Sequence, residues 1–169
     1  MKTLHSFEDL ISELRSKEGS RRMQAREALV TIGKPSVPFL VELLGDENEI
    51  VRWESCKALR RIKDASTAAA LAESLDDENM AVQWLAAEAL IMLKTAAVIP
   101  LLEVLEKKFE SPFVRQGAHH VLHAFEREGL LDEETIAVID SLRSLGPNVM
   151  AALAAQKALA AAARHHRAH

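Results

Sequence analysis

The 169-residue chain has no Tyr, five Phe and two Trp, an aromatic content of 4%. Turn formers are also scarce, with six Gly and five Pro. That profile suits packed helices and not a sheet. A single cysteine, Cys56, excludes an intrachain disulfide. The opening MKTLHSFEDL lacks the apolar core of a signal peptide, so a reducing, cytoplasmic location is expected. The chain also lacks a basic surplus: 21 Lys plus Arg face 25 Asp plus Glu, for a net charge of -4. General binders of a phosphate backbone carry such a surplus, so nucleic acid is an unfavoured partner. The weakly apolar stretch from Ala151 to Ala163 is mostly Ala and is broken by Gln156 and Lys157. It is read as no membrane span.

What is present is repetition. RRMQAREALVTI from Arg21, VRWESCKALRRI from Val51, VQWLAAEALIML from Val82 and VRQGAHHVLHAF from Val114 overlay, and place Leu29, Leu59, Leu90 and Leu122 at matching positions 30, 31 and 32 residues apart. Shorter helical patterns lie between them: VPFLVELL from Val37, AAALAESL from Ala68, AVIPLLEVL from Ala97 and TIAVIDSL from Thr135. The turn before the longer segment is nearly duplicated, as GDENEIVRW and DDENMAVQW. Self-similarity at this period marks a stacked repeat architecture.

Spacing of three and four puts Val51, Ser55, Leu59 and Ile62 on one helix face, with Ala58 beside them. Small residues at Ser55, Ala86 and Ala118 allow close helix approach. Expected helix starts are Ser6 with Asp9, Ser36, Ser66, Asn79, Ser111 before Pro112, and Asp132. Expected stops are Gly33, Gly129 and Gly146 before Pro147. About ten helices in antiparallel pairs follow. Residues 1–146 form the solenoid, fronted by a cap carrying Phe7, Leu10, Ile11 and Leu14. Residues 147–169, in the same domain, form an Ala-rich C-terminal cap with Val149, Leu153 and Leu159 on a thin stripe, ending in a frayed His/Arg tail.

From Arg21 to Leu142 this pattern resembles the short HEAT-like repeat of phycobilisome lyase subunits. It departs from that pattern at Arg21, where Val is expected, at Gln83, where Arg is expected, and in the connector KKFESP. The resemblance implies an all-α, right-handed superhelix of about four to five helical pairs. Tetratricopeptide and ankyrin signatures are absent.

With the core face assigned, the opposite stripe of the second long helix is Ile50, Trp53, Lys57 and Arg61, with Glu54 at its margin. The third gives Ala81, Trp84, Glu88 and Met92, with Met80 and Leu85 alongside. The fourth gives Phe113, Gln116, His120 and Ala124, and the first Ser20, Met23, Glu27 and Thr31. In proteins resembling this one, that stripe lines the concave, ligand-holding side. Neighbouring helices lie about 8–10 Å apart, so Trp53 and Trp84 are expected as adjacent rungs. The candidate partner-binding set is Met23, Ile50, Trp53, Glu54, Lys57, Trp84, Leu85, Glu88, Phe113, Gln116 and His120. Apolar residues of this kind with a charged rim fit a protein partner. The alternatives are self-association into a homodimer through the same face, and local packing of the two Trp side chains.

His119 and His123 stand one helical turn apart, a spacing that can hold a metal, but no carboxylate follows at hydrolase spacing. His165, His166 and His169 belong to the tail. Deoxyhypusine hydroxylase, which also has HEAT-like repeats, holds iron through His-Glu pairs; the aligned pairs here are Trp53-Glu54, Trp84-Leu85 and Gln116-Gly117. Cys56 sits near the core, as a small hydrophobe more than a nucleophile. No catalytic residue, metal or cofactor is therefore assigned. The competing class implied by the resemblance is an accessory subunit of a bilin lyase. Acidic residues before the long helices and basic ones after them follow helix dipoles. The set Arg15, Lys17, Arg21, Arg22, Arg26 and Lys34 is denser than dipoles require.

Overall fold

A computed structural model describes residues 6–143 and 149–167. Ten α-helices occur among them: α1 (Phe7–Leu14), α2 (Gly19–Ile32), α3 (Val37–Glu42), α4 (Glu49–Ile62), α5 (Ala68–Glu73), α6 (Met80–Leu93), α7 (Val98–Lys107), α8 (Pro112–Arg127), α9 (Glu133–Arg143) and α10 (Val149–Arg167). Strands are absent from the described residues. The long helices α2, α4, α6 and α8 pack one on the next, and α3, α5 and α7 pack behind them. The result is an α-solenoid whose repeats share one core.

The periodicity is expressed in burial. Leu29, Leu59, Leu90 and Leu122 are fully buried, and so are Ser55, Ala86 and Ala118. The Ser55 hydroxyl donates to the Val51 carbonyl at 2.8 Å, which satisfies it without an outside partner. Ile62 is only partly buried against the core. At the front, Leu10 and Leu14 of α1 are buried and Phe7 stacks on Phe39 of α3, with ring centroids 4.5 Å apart.

A recurring side-chain bond fixes the start of each long helix. Arg22, Arg52 and Arg115 each donate to two carbonyls five and six residues earlier: Ser16 and Lys17, Asp46 and Glu47, Phe109 and Glu110. Gln83 keeps one of the two bonds, to the Asp77 carbonyl. These carbonyls belong to the turn preceding the helix, so one side chain ties turn to helix in all four repeats.

Several start signals are present as expected. Ser6 and Asp9 form a capping box, and Asn79, Ser111 and Asp132 accept backbone N–H groups from Ala81, Val114 and Thr135. Two differ. Ser36 is buried and donates back to the Leu29 carbonyl at 2.8 Å instead of capping α3. Asp64, not Ser66, caps the turn before α5, accepting from the Ser66 backbone and hydroxyl. Asn48 caps α4 just as Asn79 caps α6. Chain reversal after α2 reaches 119° and uses Gly33 at φ 75°; Lys63 and Lys94 adopt φ 57° and 56° at the matching places. Gly129 stops α8 at φ 69°, while Gly146 lies outside the described residues.

The segment Met80–Lys107, which includes an 18-residue run of mean hydropathy 1.9, is longer than the Ala-rich one. It is two helices, α6 and α7, joined at Lys94 and half buried inside the fold. The stripe of the C-terminal helix differs in part from expectation: Leu159 packs partly buried against the core, but Leu153 does not. Helix α10 packs on both α7 and α9, while α9 packs on α8 and α10. The buried stripe of α10 is Ala151, Ala155, Ala158 and Ala161, whereas Leu153 is 45% exposed. Alanine has no side chain beyond Cβ, so this stripe lets α10 seat closely where a leucine stripe would hold it off.

Candidate interaction groove

Between α6 and α8, on the face away from the short helices' core contacts, lies an open groove of about 460 Å³. Its walls carry Trp84 (57% exposed), Met80 (78%) and Phe113 (48%). Gln83 and Gln116 add amide groups, and Glu78 stands at the edge. The floor is set by Gly117: a Cβ there would lie 2.8 Å from Leu75 Cδ2, closer than real Cβ contacts come. Leu75 is itself fully buried. A larger residue there would have to displace the buried Leu75 side chain, so glycine eases the close approach of α8 to the turn after α5, at the expense of helix propensity.

The His120 ring sits 5.0 Å from Trp84, tilted by 36°, and its Nε2 is 3.3 Å from the Glu88 carboxylate. Trp84, His120 and Glu88 therefore form one contiguous patch reaching from α6 to α8. Trp53 occupies the matching position on α4 but is differently surrounded. It is half-buried, packed against the core, and the Lys57 ammonium lies 3.8 Å above its ring. Burial pushes the Lys57 pKa down, with Glu54 opposing.

Of the candidate residues, Trp84, Phe113, Gln116 and His120 line the groove, and Glu88 adjoins it through His120. Met23 and Ile50 are exposed on α2 and α4, outside it. Two assignments need correction. Glu54 is only 3% exposed and accepts from Arg26 at 2.5 Å, with Arg22 at 3.7 Å and Lys57 at 4.0 Å. Leu85 is 9% exposed and belongs to the core. Glu54, Leu85 and Gly117 share one register position, and it faces the neighbouring helices instead of the rim. Helical geometry alone puts this position at a margin; stacking on both sides closes it.

Sequence reasoning missed Leu75, Glu78, Gln83, Ala87 and Gly117 as lining. Gly117 was detectable, since a glycine inside a helix costs about 0.5–1 kcal/mol and needs a reason.

The dense N-terminal basic set is mostly engaged within the fold. Arg15 pairs with Asp46, Arg21 with Glu13 and Glu18, Arg22 and Arg26 with Glu54, and Lys34 with Asp64. Arg61 pairs with Glu27, a hydrogen bond that holds the Glu27 carboxyl below its usual range. Arg52 bonds both Asp77 oxygens and also Glu78, cross-linking α4 to the next turn. Ser111 and Lys108 reach Asp76 in the same way.

His119 and His123 stack at 5.9 Å. Burial lowers the His119 pKa, and Arg143, which donates to its Nε2 at 3.3 Å, lowers it further. Among the described residues no group of three His, Cys, Asp or Glu side chains is arranged to hold a metal. Cys56 is buried, and that burial raises its pKa to about 12.

The chain belongs to the HEAT-repeat family: the family model described as HEAT repeats matches residues 7–91, from α1 into α6. No curated protein matches it. Among solved structures, an engineered protein is similar at 22% identity and TM-score 0.43, over 90% of this chain and 79% of that one. A designed armadillo repeat protein is similar at 18% identity and TM-score 0.39, over 91% and 100%. Another, in complex with the peptide (KR)4, is similar at 19% identity and TM-score 0.38, over 90% and 81%.

Proposed function

We propose that this HEAT-repeat chain is a non-catalytic scaffold that holds a segment of a partner protein in the groove between α6 and α8. The observation that carries the reading is the joint exposure of Met80, Trp84 and Phe113 around one concave opening. Large apolar side chains gathered at an open concavity mark interaction sites, and Trp leads the residues that dominate binding energy. The partner's apolar side chains would be buried there, and the flanking polar groups would select orientation.

The bilin-lyase-type alternative rests on repeat resemblance. Cys56, buried and with its pKa raised to about 12, is poorly suited to attach a chromophore. Absence of any absorbance change with a linear tetrapyrrole would remove that alternative. Self-association would place the same residues against a second copy, and a concentration-dependent mass in solution would reveal it.

The test is affinity capture from native extract with the wild type beside a Trp84→Ala, Phe113→Ala variant. Both side chains are largely exposed, so the variant keeps its helical signal. A protein retained by the wild type and lost from the folded variant supports the groove. Identical sets from both contradict it.

A further inference from the structure

The two tryptophans share one place in successive repeats, yet one is covered and the other is open. Four residues after Trp53 stands Lys57, whose ammonium lies 3.8 Å above the indole. Four residues after Trp84 stands Glu88, which turns instead to His120. Among the described residues, no cation of this chain covers Trp84 as Lys57 covers Trp53. Repeat two thus carries its own cation–π partner, and repeat three carries the indole with a carboxylate where that cation would be.

The surrounding charge has the matching sign. None of the groove's lining residues is Lys or Arg, and Glu78 lines it with its side chain 83% exposed. The Arg52 guanidinium that reaches Glu78 is shared with Asp77, two carboxylates to one cation. Among the described residues, Glu88 pairs with His120 alone. Met80 and Phe113 offer apolar wall to an alkyl stem.

Resting on the groove reading above, we infer that the groove takes a Lys or Arg side chain from the partner segment. The cation sits over Trp84 and is drawn by Glu88 and Glu78, and its stem lies along Met80 and Phe113. An aromatic face beside carboxylates suits a cation that is only partly desolvated. A free apolar or acidic segment gains nothing from that charge.

The probe is a blocked heptapeptide with a central Arg between two leucines, beside the same peptide with citrulline, which keeps shape and hydrogen bonding but not charge. Binding is read by Trp84 emission in a Trp53→Phe background and by anisotropy of the labelled peptide. The Arg peptide is expected to bind about tenfold tighter, a ratio that corresponds to ~1.4 kcal/mol and falls with added salt. Glu88→Lys recreates the arrangement of Lys57 over Trp53 and should abolish the preference. Glu88→Gln, milder in charge and shape, should reduce it severalfold, with far-UV dichroism confirming both folds. Equal binding of the two peptides overturns the cation subsite. Should that equal binding still vanish in Trp84→Ala, the groove reading survives alone. A preference that persists in Glu88→Lys, or no binding of either peptide, also overturns it.

Discussion

Neutralising Glu54 should destabilise the protein far more than its register position on α4 suggests. The carboxylate is 3% exposed and is approached by Arg26, Arg22 and Lys57. Glu27, which Arg61 also engages, is a second carboxylate for Arg26 at 3.2 Å and acts on Lys57 as well. Glu54→Gln therefore leaves three cations crowded at the α2–α4 interface with one charge fewer to balance them. Removing one member of a buried pair costs about 3–5 kcal/mol. Because Gln keeps the shape and an acceptor, the lower end applies, about 3 kcal/mol. At roughly 2–4 °C per kcal/mol for a chain of this size, the melting midpoint falls by about 6–12 °C. The assay is urea and thermal unfolding followed at 222 nm, with Glu73→Gln as control. That carboxylate meets Lys108 at 2.8 Å with both side chains exposed by more than a third, so its loss should cost under about 1 kcal/mol. A Glu54→Gln variant within about 1 kcal/mol of wild type would refute the buried-anchor argument.

Trp53→Ala should lower stability by about 2–3 kcal/mol, since the indole packs on the core beneath Lys57, whereas Trp84→Ala should cost under about 1 kcal/mol. Paired denaturation curves check this, and equal losses would contradict the different surroundings of the two rings. Cys56 should resist a thiol reagent until the protein unfolds, and alkali should expose it as a weak point. With its folded pKa raised to about 12 from an ordinary 9.0, the unfolded thiol ionises first, so stability present below pH 9 is lost as pH rises from there. The slope approaches about 1.4 kcal/mol per pH unit, and Cys56→Ala should remove that part of the alkaline loss. For His119, whose folded pKa lies below 6.5, acid protonates the unfolded chain first. Stability therefore falls as pH drops below that value, and His119→Gln should flatten the decline in an acid titration of the melting midpoint.

The repeat, its leucine register and most helix starts were legible in the sequence because they are local patterns repeated four times. Partners far along the chain were not. Glu54 looks like a rim residue until Arg26, 28 positions earlier, is brought against it. Lys63 and Lys94 gave no stop signal, since lysine seldom takes positive φ, yet both do so where the first repeat has Gly33. On α10 the expected stripe holds for Leu159, which packs against the core, but not for Leu153, for a similar reason. Counting the larger side chains selected Leu153, but a helix inserted between α7 and α9 is limited by closeness, and its alanines carry the contact. Within the groove, the exposed Trp84, Phe113 and His120 followed from helical phase, while Glu78 and Leu75 come from a turn whose placement only the stacking determines.

The most direct test of the scaffold reading is site-specific photo-crosslinking in native extract, with a photoreactive phenylalanine analogue at Gln116 inside the groove. Lys157, exposed on α10, serves as the control position. A partner protein joined at Gln116 and not at Lys157, and lost when Trp84→Ala is added, is the predicted result. Crosslinks that form equally at both positions, or that survive loss of Trp84, would contradict it.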